Sequence, residues 1–191
     1  MPNLCNTTYK CIGELKEVES LHSLLERMSE QKTTFVENDF GKWWLGNLIH
    51  LLGGKWQDYR CRGEITDYLI EDNVLTIHQN TAWCEQEGVR KIIEEKYPSI
   101  KVYYLEEELG CGLYHTNDIH SLFFDESFLV DSYESFEYFQ TIEELASYVE
   151  NITKAKVKRD FDACKKALED YANETNNDDV YFDVYELSRK D

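Results

Sequence analysis

Proline, glycine and long apolar runs are scarce in this chain of 191 residues. Two prolines, Pro2 and Pro98, and nine glycines provide little material for a flexible linker. The most apolar stretch, residues 43–52, is far shorter than the roughly 20 residues that a membrane-crossing helix needs, so we expect no membrane partner. Residues 1–19 lack the continuous apolar segment of a secretory signal. We therefore expect a cytoplasmic protein.

Basic residues are also few, since 20 lysines and arginines face 38 aspartates and glutamates, for a net charge of −18. Residues 102–153 contain no lysine or arginine at all. Such a charge repels polyanions and disfavours nucleic acid as a partner. The apolar content of 42% and aromatic content of 14% nevertheless allow a sizeable core, which excludes an intrinsically disordered chain.

Closely spaced cysteine pairs are absent as well. None of the six cysteines lies in a Cys-x-x-Cys pair, the spacing that structural zinc sites use most often. In the expected cytoplasmic setting they are reduced, and most of them act as small core residues. We expect no cofactor.

The hydrophobic pattern of the first half predicts strand, helix, strand, strand, helix, strand. Helical spacing runs through residues 18–28 and 89–97, and period-two alternation marks residues 59–70, 74–80 and 100–106. Glu71-Asp72-Asn73 has the composition of a hairpin turn. This order predicts an α+β fold, a ferredoxin-like β-α-β-β-α-β sandwich, with an insertion at residues 31–56 after the first helix.

The second half predicts an α/β extension. Residues 119–124 and 128–133 read as a hairpin, Thr141 and Glu144 as a capping box, and residues 180–184 as a final strand. We predict a ferredoxin-like domain over residues 1–112 and an acidic C-terminal extension over residues 113–191, packed on the first domain because no flexible linker separates them.

Four short motifs in the first 115 residues resemble the YubB-type ferredoxin-like proteins carried by bacterial plasmids and phages. They are Met1-Pro2-Asn3-Leu4-Cys5-Asn6, Gly53-Gly54-Lys55-Trp56, Thr81-Ala82-Trp83, and Tyr104-Leu105-Glu106 followed by Gly110-Cys111-Gly112. The chain departs from that family at Leu4, Leu51-Leu52, Glu85 and Gln86, where the family has tryptophan, Asn-Trp and prolines. The resemblance implies the fold and a mobile-element setting, but no activity and no site residues.

Charge segregation gives the leading functional hypothesis, a non-enzymatic interaction protein that presents an acidic, aromatic-rich surface to a basic protein partner. Aromatic residues interleaved with the carboxylates would anchor such a partner. The residues assigned to this surface are Glu106, Glu107, Glu108, Asp118, Asp125, Glu126, Asp131 and Glu134.

Two alternatives remain open. Cys111 and His115 are candidates for a nucleophile and its base, and His115, Asp118 and His120 for metal ligands, which would make the chain an enzyme or a metal-binding protein. Alternatively, the tryptophans at positions 43, 44, 56 and 83, with Lys55, would form an aromatic groove that stacks single-stranded bases. The sequence leaves the oligomeric state undetermined.

Overall fold

A computed structural model describes residues 3–175 and 180–190 and confirms a mixed α+β fold. The strands are β1 (Leu4–Ile12), β2 (Gly63–Glu71), β3 (Val74–Ala82), β4 (Lys101–Glu108), β5 (Leu113–Thr116), β6 (Phe128–Ser132), β7 (Phe136–Phe139), β8 (Phe182–Glu186) and β9 (Ser188–Arg189). The helices are α1 (Leu15–Glu30), α2 (Leu45–Leu51), α3 (Glu87–Lys96), α4 (Ile142–Thr153) and α5 (Phe161–Thr175).

The chain divides into two compact units. The first runs to Ile119 and includes Lys190, and the second runs from His120 to Arg189. No helix in the described part of the chain is both long enough and apolar enough to cross a membrane.

The sheet of the first unit contains the strand order β2-β3-β1-β4-β5, with every neighbouring pair antiparallel. β2 and β3 are joined by Asp72 and Asn73, both with positive φ, which matches the right-handed twist of a two-residue hairpin. The predicted hairpin is therefore present, although β2 begins at Gly63 and not at Tyr59. A bulge at Thr66 interrupts its pairing with β3.

Three helices cover one face of this sheet. The apolar sides of α1, α2 and α3 share a single buried cluster with Tyr9 and Cys11 of β1 and with their neighbours on β2, β3 and β4. α2 lies in the predicted insertion, and its fully buried Asn47 organises the preceding segment. The Asn47 side chain accepts from the backbone N–H groups of Phe35 and Val36 and donates to the carbonyls of Gly41 and Lys42.

The second unit is a three-stranded antiparallel sheet, β7-β6-β8, with α4 and α5 on one face. The predicted capping box starts α4, because Thr141 accepts from the Glu144 N–H and the Glu144 carboxylate accepts from the Thr141 N–H.

The hairpin predicted between residues 119–124 and 128–133 was wrong. Residues 119–124 form no strand, and β6 instead pairs with β7 and β8. The turn that closes the real hairpin lies at Ser132–Ser135, where the Ser132 hydroxyl donates to the Ser135 carbonyl and accepts from the Ser135 N–H. The first two residues of the opening motif, Met1-Pro2, lie outside the described residues.

Candidate functional site

A row of polar side chains crosses the helix-covered face of the first sheet. Gln79 of β3 lies opposite Thr7 of β1, Thr7 lies opposite Glu106 of β4, and Glu106 lies opposite His115 of β5. Two residues further along the strands, the same face carries the apolar row of Ile77, Tyr9 and Tyr104. This face of the sheet therefore changes from apolar core residues to buried polar residues over two positions of each strand.

Glu106 and His115 form the centre of this polar row. Glu106 is buried, and one of its carboxylate oxygens lies 2.9 Å from Nδ1 of His115. Its other oxygen accepts the backbone N–H of Glu85. The phenol oxygen of Tyr104 lies 3.3 Å from the same Nδ1. Within the described residues, the buried Nε2 of His115 and both polar atoms of the Gln79 side chain have no hydrogen-bond partner.

Glu85 is a second buried carboxylate beside this pair. It accepts a 2.6 Å hydrogen bond from the phenol of Tyr9, which is fully buried. It also forms an ion pair with Arg90, whose Nε lies 3.1 Å from the carboxylate. Burial raises the pKa of Glu85, although the Tyr9 hydrogen bond and the Arg90 charge both oppose the increase. Burial, together with the Glu106 charge, raises the pKa of Tyr104 to about 12.

A cleft of about 630 Å³ opens onto these groups, lined by Cys84, Glu85, Arg90, Tyr104 and Glu106 among others. The guanidinium carbon of Arg90 lies 5.2 Å from the centre of the Tyr104 ring. The cleft therefore presents paired carboxylates with a fixed cation and a phenol, a set that can bind a polar molecule. Burial raises the pKa of the Cys84 thiol, which makes it a poor nucleophile at neutral pH.

The structure does not bring the predicted catalytic and metal-binding residues together. Cys111 is exposed, and its sulfur lies 3.4 Å from the side-chain nitrogen of Asn3. A hydrogen bond with the Glu108 carboxylate raises the pKa of Cys111, which disfavours the reactive thiolate. His115 is paired with Glu106 rather than with Cys111. In residues 3–175 and 180–190, no three His, Cys, Asp or Glu side chains are grouped to hold a metal ion.

Three residues assigned to the acidic surface are buried, so the assignment is corrected at those positions. Glu106, Glu108 and Asp118 are 6%, 5% and 0% exposed. Successive residues of a strand point to opposite faces, so Glu106 and Glu108 share the helix-covered face with Tyr104, whereas Glu107 faces the other side. Of the remaining members, Asp125 and Glu134 are exposed, and Glu107, Glu126 and Asp131 are partly exposed.

An acidic face is nevertheless present on the second unit, on the side of its sheet opposite α4 and α5. Asp131 of β6 lies directly between Phe136 of β7 and Asp183 of β8. Two residues along β7, Tyr138 points to the same side, and the Tyr181 phenol lies 3.4 Å from the Asp131 carboxylate. We call these five residues the acidic face. Phe136, Tyr138 and Tyr181 are 56%, 46% and 42% exposed, unusually high for a cluster of aromatic rings.

No basic residue on β6, β7 or β8 offsets the negative charge of the acidic face. The segments FLVDS, FEYF and FDVYE of β6, β7 and β8 contain four carboxylates and no lysine or arginine. Partial burial raises the pKa of Asp131, the Tyr181 hydrogen bond lowers it, and the neighbouring Asp183 raises it further. Like charges directly opposite each other on a sheet repel, so a cation bound beside Asp131 and Asp183 would stabilise the two carboxylates.

Sequence reasoning missed Tyr9, Glu85, Arg90 and Asp183. The alternation of residues in β1 and β3 did not identify Thr7 and Gln79 as buried. The contact between Glu85 and Tyr9 joins residues 76 positions apart, so no local pattern predicts it. Asp183 was detectable, because it alternates with Phe182 and Val184 in the predicted last strand. Comparisons with protein-family profiles, with curated proteins and with solved structures returned no match.

Proposed function

We propose that this chain is a non-enzymatic interaction protein that uses the acidic face to bind a basic protein partner. The supporting observation is the side-by-side pair of carboxylates, Asp131 and Asp183, flanked by the exposed ring of Phe136. A guanidinium or ammonium group of a partner would relieve the repulsion between the two carboxylates, and the rings would provide apolar contact area around it.

The charge of the whole chain supports the same partner chemistry. A net charge of −18 attracts basic proteins over distances of several ångströms and accelerates their association. Basic proteins that bind nucleic acid are suitable partners, because their lysine and arginine side chains already match closely spaced negative charges. The proposal places the protein in the cytoplasm.

For the first unit we propose a variant of the ferredoxin-like fold. The element order β1-α1-β2-β3-α3-β4, with α2 inserted after α1, and the antiparallel order β2-β3-β1-β4 support this assignment. Membership of the YubB-type family, with its mobile-element setting, is part of the same proposal and is supported by the motifs quoted above.

Affinity capture with the immobilised full chain tests the proposed function. The wild type is compared with the Asp131→Asn/Asp183→Asn double variant at about 0.1 M salt, where the screening length is about 10 Å, and at about 1 M, where it is about 3 Å. We expect the wild type to retain basic proteins at low salt and release them at high salt, and the double variant to retain few at either.

The matched control is Glu169→Gln/Asp170→Asn on α5, which removes two exposed charges from the same unit but leaves the acidic face intact. It should behave as the wild type does. The proposal fails if no protein is retained at low salt, or if the control loses binding as completely as the Asp131/Asp183 variant, because net charge alone would then explain the capture.

A further inference from the structure

The first unit contains a second cavity, which shares Tyr59 and Arg60 with the polar cleft but otherwise has a different lining. It has a volume of about 780 Å³ and lies where β2 begins and β3 ends. Aromatic side chains form its walls, namely Phe40, Trp44, Trp56 and Tyr59. Buried Cys61 and Ala82 are also part of its lining. We call this cavity the aromatic groove, and its volume falls in the range that small-molecule sites occupy, about 300–1,000 Å³.

The walls of the aromatic groove are held in place by packing. The rings of Trp44 and Trp56 meet edge to face with centroids 5.2 Å apart, and Phe40 contacts Trp44 at 5.4 Å. Gly46 on α2 makes room for the Trp44 ring, because a Cβ atom at that position would lie 2.4 Å from the ring carbons. The groove therefore exists before any ligand arrives, which reduces the entropic cost of binding.

The charges at the groove are opposite in sign to the protein as a whole. Two basic residues, Arg60 and Arg62, are part of its lining together with a single acidic residue, Glu64. The remaining polar contributors, Gln57, Asn80 and Thr81, are neutral. Two basic residues against one acidic residue in an otherwise apolar lining favour an apolar ligand that carries a negative charge, although the net charge of −18 opposes the approach of any anion.

We propose that the aromatic groove binds a small planar aromatic compound that carries one acidic group, such as an aromatic carboxylate or sulfonate. The ring stacks between the tryptophan and tyrosine walls, and the acidic group pairs with Arg60 or Arg62, since guanidinium groups bind such oxygens bidentately. Single-stranded nucleic acid fits less well, because it needs a track of cations along its backbone, and this groove has two.

Fluorescence titration of the full chain with 8-anilinonaphthalene-1-sulfonate tests the proposal, with the uncharged N-phenyl-1-naphthylamine as the matched probe. The protein should bind one equivalent of the sulfonate, and binding should quench tryptophan emission because Trp44 and Trp56 form walls of the aromatic groove. The Arg60→Gln/Arg62→Gln variant should weaken sulfonate binding about tenfold and change binding of the uncharged probe less than about twofold. Leu4→Glu and Phe40→Ser, at exposed positions of the lining, should weaken both probes.

The control Lys16→Gln/Lys96→Gln removes two exposed cations that do not line the groove, and it should bind both probes as the wild type does. Circular dichroism and thermal unfolding verify that each variant is folded. The proposal is overturned if the Arg60/Arg62 variant and the lysine control bind the sulfonate equally, or if Phe40→Ser leaves both probes bound. Displacement of the sulfonate by a thymidine dodecamer at equal concentration would also overturn it, in favour of a nucleic-acid surface.

Discussion

Replacement of Tyr9 by phenylalanine tests whether the buried carboxylate of Glu85 is ionised in the folded protein. The Tyr9 phenol donates a 2.6 Å hydrogen bond to that carboxylate and also lies 3.2 Å from the Gln86 carbonyl oxygen. The Tyr9 side chain is fully buried. A hydrogen bond to an ionised group contributes about 1.5–3 kcal/mol, against about 0.5–1.5 kcal/mol between neutral groups. We expect Tyr9→Phe to lower the free energy of unfolding by about 2–3 kcal/mol at pH 7.

Tyr97→Phe is the matched control. Tyr97 is also buried, and its phenol bonds the neutral hydroxyl of Ser20 at 3.0 Å, so its loss should cost about 1 kcal/mol. Urea unfolding followed by tryptophan fluorescence measures both variants. Tryptophans occur only at positions 43, 44, 56 and 83, so the signal reports the first unit alone.

The pH dependence separates the two variants further. Burial raises the folded-state pKa of Glu85 and the Tyr9 hydrogen bond lowers it, so the pKa rises further in Tyr9→Phe. The unfolded chains titrate alike, so the stability difference is complete above both folded-state pKa values and shrinks as the pH falls through them. Equal costs for the two tyrosines, or a Tyr9→Phe cost that stays constant from neutral to mildly acidic pH, would refute an ionised Glu85.

Three further outcomes are expected. Asn47→Ala removes four hydrogen bonds that organise the segment before α2, and should cost about 3–4 kcal/mol in the same urea assay; a cost below 1 kcal/mol would contradict that role. Thr141→Ala removes the cap of α4 and should cost about 1 kcal/mol, whereas Thr141→Ser should cost far less, both measured by circular dichroism during urea unfolding. Glu108→Gln should accelerate alkylation of Cys111 by iodoacetamide at pH 8, because the Glu108 carboxylate raises the pKa of that thiol, and an unchanged rate by mass spectrometry would argue against the contact.

The sequence predicted those elements whose signals are local. Asp72 and Asn73 tolerate positive φ, so the β2–β3 hairpin was visible. Pro98 predicted the end of α3, which lies at Lys96. The capping box of Thr141 and Glu144 predicted the start of α4. The four-residue strand β7 was missed because residues 119–124 offered a stronger apolar run as the partner of β6.

The candidate sites were less predictable, because strand alternation identifies the two faces of a strand but not how far a helix covers each one. Glu106 and Glu108 stand in a run of three carboxylates that is typical of a solvated strand end, yet both are buried. Asp131 is partly exposed, and the position of its neighbour Asp183 depends on pairing between residues about 50 positions apart. Such long-range pairings are set by the tertiary fold.

The position of β1 at the middle of the first sheet has a consequence for biosynthesis. β1 is translated before its hydrogen-bonding partners, β3 and β4, the second of which ends at Glu108. At about 5–20 residues per second, roughly 5–20 s pass on the ribosome before both neighbours exist. During that interval the apolar residues of β1 are open to chaperones, and slow translation of residues 13–100 would lengthen this exposure.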